Sequence, residues 1–144
     1  MWISRTLIGF LALGCSVAVS ADIGQIKTLS GEVYIIRGGE QVPGRPGLPL
    51  EQADTVLTGA DGQVGITFVD NSRISAGPNS ELALSRFRFN ATTHEGEFTA
   101  DIKQGTLSVV SGQIAKHSPD QMKVRTPSSL LAVRGTTFLV KVGN

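Results

Sequence analysis

The sequence predicts an all-β domain of short, mostly antiparallel strands, rolled or stacked like a solenoid, with a two-layer β-sandwich as the alternative. Three observations predict it. Turn residues recur about every 8–12 positions, the spacing of an all-β chain. The runs between them are rich in Val, Ile, Thr and Phe and alternate with a period of two. Beyond residue 21 no helical period is sustained.

The first segment reads as an export signal rather than as part of the fold. Arg5 is the only charge before Asp22, an apolar run follows from Leu7 to about Val19, and Val19-Ser20-Ala21 places small residues before a cleavage point after Ala21. The run is shorter than the roughly 20 apolar residues of a membrane span. Cys15 raises the alternative of a lipoprotein signal. Ala12 and Leu13 depart from that pattern, which wants Leu three residues and a small residue two residues before the Cys. Cleavage after Ala21 leaves one domain, residues 22–144, with no cysteine and therefore no disulfide or thiolate site. Of the 13 basic residues Arg5 goes with the signal, and the remaining twelve balance 12 acidic residues. A neutral chain with scattered charges gives no electrostatic reason to bind nucleic acid or anionic lipid.

The strands follow in order. Ile23–Leu29 and Gly31–Ile36 are separated by Ser30-Gly31, and the second is apolar on both faces, the mark of a strand buried on both sides. Gly38-Gly39 breaks the pattern. Pro43, Pro46 and Pro49 predict a loop that cannot pair, because proline has no backbone donor. Asp54–Thr58 is a short strand, Gly59–Gly62 a turn, and Gln63–Val69 a strand with Val64, Ile66 and Phe68 on one face. Asp70-Asn71 is a hairpin turn into Ser72–Ala76. After the turn Gly77-Pro78-Asn79, apolar parity runs through Leu82 and Leu84 and then switches to Phe87 and Phe89, which predicts a bulge near Ser85. Asn90–Glu95 is a polar loop. Gly96–Lys103 alternates cleanly as a half-exposed strand, and Gly105–Ser111 reads as the next one. Ala115–Gln121 is a loop or a single helical turn. Met122–Thr126, Ser129–Arg134 and Thr136–Val142 complete the sheet, the last with Phe138, Val140 and Val142 on one face.

Several of these runs, taken in order, resemble a FecR-like domain. The first half of the resemblance lies in Gly31-Glu-Val, Asp54-Thr-Val-Leu-Thr-Gly59, Val64–Phe68 with Asp70-Asn-Ser72, and Pro78-Asn-Ser80. The second lies in Gly105–Gly112, Val124–Pro127 and Arg134-Gly-Thr136. It covers about residues 24–142. It implies an envelope β domain that binds or senses. Some members pass a signal from an outer-membrane receptor to a cytoplasmic sigma factor. This chain carries no cytoplasmic anti-sigma segment or internal membrane helix, so sigma-factor control is not expected of it.

Nothing in the sequence assembles a catalytic set. His94 and His117 are the only histidines, both in polar segments, and no Gly-x-Ser-x-Gly motif is present. Asp54, Asp61 and Asp70 each precede or lie within a turn, where Asp bonds backbone, and no calcium-loop spacing occurs. Glu97 and Asp101 share an outward strand face and read as solubility residues that protect an edge. No metal or cofactor is therefore expected. The candidate contact residues are Arg86, Phe87 and Arg88, an aromatic ring between two guanidiniums, and Arg134 beside Gly135. The expectation is a non-enzymatic, periplasmic or secreted module that binds an envelope protein in sensing, signalling or assembly. A peptidoglycan or glycan binder is the alternative, and an envelope hydrolase a distant third.

Overall fold

A computed structural model describes residues 21–133 and 137–143. The export signal, Cys15 and the Arg134-Gly135-Thr136 element lie outside these, apart from Ala21, which is exposed just before the first strand. Twelve strands and one short helix follow. They are β1 (Asp22–Ser30), β2 (Val33–Arg37), β3 (Glu40–Pro43), β4 (Pro49–Glu51), β5 (Thr55–Thr58), β6 (Gln63–Phe68), β7 (Arg73–Ala76) and β8 (Glu81–Phe89). Then come β9 (Gly96–Val110), α1 (Gln113–His117), β10 (Met122–Arg125), β11 (Leu130–Ala132) and β12 (Thr137–Val142).

The strands form one sheet curled into a half-barrel, so the rolled arrangement holds rather than the two-layer sandwich. Every pairing is antiparallel except β10 with β9. β9 is the shared strand. Its N-terminal part lies between β8 and β10 in a wing that runs on through β5 and β2 to β3. Its C-terminal part lies between β7 and β12 in a wing that runs on through β6 and β1 to β4.

The two predicted strands Gly96–Lys103 and Gly105–Ser111 are thus one 15-residue strand. Gly105 does not end it. At φ 101° Gly105 lets the chain change face, so burial moves from Phe98, Ala100 and Ile102 to Leu107 and Val109. Glu97 and Asp101 consequently sit on a central strand, not an edge.

The proline-rich stretch is also a correction. Pro43 pairs with Tyr34 and Pro49 with Gln25. Both prolines are terminal residues of outermost strands, where a missing N–H leaves no ladder bond unmade. The bulge near Ser85 is present. Register shifts between Ala83 and Arg86, the exposed Ser85 and Arg86 separate the buried Leu84 and Phe87, and the Phe87 N–H is met by the Gln52 side chain at 3.0 Å. In β2, Val33 and Ile35 are buried, while Tyr34 and Ile36 remain half-buried, so burial is one-sided.

The core lies in the hollow of the curl. Phe68 from one wing meets Phe87 and Phe98 from the other, with ring centroids 5.7 and 4.7 Å away and Phe87–Phe98 at 5.1 Å. Each such ring removed from water contributes about 1.5–3 kcal/mol. On the outer surface the Tyr34 phenol donates to Glu32 Oε1 at 2.7 Å. That bond, with the carboxylate charge, holds the phenol above the ordinary tyrosine range. Tyr34 is the chain's single tyrosine, so an ultraviolet titration reads it directly. Glu32→Gln is expected to lower its midpoint toward that of free tyrosine. An unchanged midpoint would mean the bond does not persist in solution.

Candidate binding surface

Beyond the bulge, β8 reads Arg86-Phe87-Arg88, and the pleat sends alternate side chains to opposite faces. Arg86 and Arg88 point to solvent. Phe87 does not. It is 6% exposed and packed between Phe68 and Phe98, so the exposed aromatic contact expected there is corrected to a core residue. The bulge turns it inward. What remains outside is a charged face. Arg86 Nη1 lies 3.4 Å from Glu97, Arg125 Nε 3.0 Å from Asp101, and Lys103 Nζ 3.6 Å from Glu81. Ser85 donates to Asp101. Exposed pairs of this kind contribute little to stability. A hollow of about 430 Å³ lies among Arg86, Glu97, Lys123, Arg125 and the exposed Leu130.

Arg88 looks instead into a polar cleft of about 930 Å³, which it lines with Phe89, Asn90, Glu95, Glu97, Ser118 and Gln121. Loop 90–95 forms one wall. Its Asn90 carboxamide oxygen accepts from the N–H groups of Thr92 and Thr93, and its Asn90 carbonyl accepts from His94 at 2.7 Å. The segment after α1 forms the other wall. The two histidines meet between these segments, with ring centroids 5.0 Å apart, and Phe89 stacks on His94 at 6.1 Å. In the sequence they stand in two separate polar segments. No local spacing links positions 94 and 117, so only the fold brings them together.

The three turn aspartates have structural partners. Asp54 takes a two-point hydrogen bond from Arg37 at 3.0 and 2.7 Å, a contact that holds this guanidinium above its ordinary pKa. Asp61 accepts from the Glu32 N–H. Asp70, fully buried, accepts from the Ser72 N–H and hydroxyl and from the Ile114 N–H. Among the described residues no three His, Cys, Asp or Glu side chains gather as a metal cluster.

Among the described strands, four are outermost: β3, β4, β11 and β12. β3 and β4 carry terminal prolines, and β4 and β11 have three residues each. β12 is different. It has six residues, no proline, and pairs only with β9 among the described strands. Leu139 stands 69% exposed on its outer face, between Thr137 and Lys141.

Compared with known families, residues 54–144 match the one described as FecR protein. The chain belongs to the FecR family. No curated protein and no solved structure matches it. FecR is a regulatory and signalling family whose domains occur in envelope-associated proteins. The FecR match begins at Asp54, but the strands before it complete the same sheet, β1 pairing with β6 and β2 with β5. Among the described residues no helix is long and apolar enough to cross a membrane.

Proposed function

We propose that this FecR-family chain is exported on a leader ending at Ala21 and that its domain, residues 22–144, works without catalysis in the periplasm or beyond it. It binds another envelope protein in sensing, signalling or assembly. The partner contributes an extended segment that adds to the β12 edge. The observation that carries this reading is the six-residue, proline-free edge with Leu139 exposed. An unpaired strand offers backbone donors and acceptors as a template, and natural proteins usually blunt such edges. Arg86, Arg88 and, from the sequence, Arg134 are the further candidate contacts.

Cross-linking in intact cells with the tagged full-length protein tests this. A dominant envelope-protein adduct is expected, reduced at least about tenfold by Leu139→Glu, the equivalent of 1.4 kcal/mol. Leu139 is exposed, so the variant should keep the wild-type circular dichroism. An adduct that Leu139→Glu leaves intact would remove β12 from the interface.

One observation favours the second reading, a peptidoglycan or glycan binder. The cleft beside Arg88 combines amide, carboxylate and guanidinium groups with one aromatic ring, Phe89. Retention on isolated sacculi with no protein adduct would support it.

A further inference from the structure

From the meeting of His94 and His117 we infer a second, independent site: a two-histidine seat for a borderline divalent cation such as Zn²⁺. The geometry comes from three directions. The imidazoles lie 5.0 Å apart between centroids, close enough for one ion to bond a nitrogen of each at about 2.0–2.1 Å. His117 Nδ1 lies 3.1 Å from the Gln113 carbonyl oxygen. A carbonyl only accepts, so Nδ1 carries the proton and Nε2 keeps its lone pair for a ligand. Metal-binding histidines are usually oriented by such a bond. His94 is held from the other side. Its backbone adopts φ 61°, its N–H bonds Asn90, and its ring stacks on Phe89.

Both side chains therefore sit on supported backbone. α1, which carries His117, is tied to the buried Asp70 through the N–H groups of Gln113 and Ile114. Imidazole suits Zn²⁺, Cu²⁺ and Ni²⁺, whereas Mg²⁺ prefers oxygen. No third protein ligand gathers among the described residues, so water completes the shell and binding is weaker than at a closed four-ligand site. A bound ion would tie loop 90–95 to the end of α1. The site does not depend on the β12 reading.

The test uses the exported protein purified without a histidine tag and labelled with ¹⁵N. Zinc chloride is titrated while the imidazole resonances are followed, with magnesium chloride as the control. The expected result is one ion per chain. Both imidazoles shift with a single midpoint, magnesium is silent, and the melting temperature rises with zinc. His94→Gln and His117→Gln, checked for native circular dichroism, should each weaken binding at least about tenfold. Unmoved imidazoles at millimolar zinc, a shift in one ring alone, or wild-type affinity in either variant would overturn the assignment.

Discussion

Gly105→Val should destabilise the domain by about 3–5 kcal/mol, combining backbone strain with overpacking. Gly105 has φ 101°, where a β-branched residue is strained. A Cβ there would also lie 2.5 Å from Ser80 Cα, a backbone atom that cannot step aside. Ser80 is itself fixed, because it is buried, its N–H bonds the Thr58 hydroxyl at 2.8 Å, and its hydroxyl accepts from the Thr106 N–H at 3.1 Å. Urea denaturation checks the prediction. Gly77→Ala is the control, since its Cβ would make only ordinary contact with Thr106, and it should cost under about 1 kcal/mol. Equal stability of the two variants would mean that β9 does not change face at Gly105.

Arg37→Ala should cost about 2–4 kcal/mol. Asp54 is 1% exposed, and removing its partner leaves a carboxylate with little access to water. The lower part of the range reflects the 34% exposure of the Arg37 side chain, which lets solvent screen the pair. Arg37 also donates to the Pro49 carbonyl and lies 3.4 Å from Glu51, so it fastens β4 of one wing to β2 of the other. The double variant Arg37→Ala, Asp54→Ala should lose less than the sum of the two singles. Simple additivity in denaturant would deny the coupling.

What the sequence disclosed was whatever depends on period and turn chemistry. Val64, Ile66 and Phe68 alternate and are buried, Asp70-Asn71 turns the β6–β7 hairpin with Asn71 at φ 68°, and the parity switch at Ser85 is a bulge. The misses share a different cause. A glycine ends a strand or lets it change face, and only the neighbour at Ser80 decides which. A proline bars pairing in the middle of a sheet and not at its rim, and rim positions are set by the whole topology. Phe87 between two arginines looks exposed until the bulge assigns its face. The histidine pair joins positions remote in sequence, where no periodicity applies.

Five polar residues of the runs that carried the family resemblance sit at the turns and strand junctions of the curl. Asp54, Thr58, Asp70, Ser72 and Ser80 are all buried polar residues whose hydrogen bonds close turns or join strands. Gly112 packs against the Asp70–Ser72 backbone so closely that a Cβ would lie 2.3 Å from the Ser72 nitrogen. These residues hold the corners of the curl and lie outside the outermost strands and the charged face.

A strand threaded through both wings also removes the option of partial failure. Neither wing has a complete ladder without β9, and β9 cannot leave one wing without exposing the Phe98 or Leu107 layer of the other. Among the described strands there is therefore no internal seam along which one wing could open while the other stays native. Local opening is expected to start at the rim, at β3, β4, β11 and β12, and the next step beyond fraying to be loss of the whole fold.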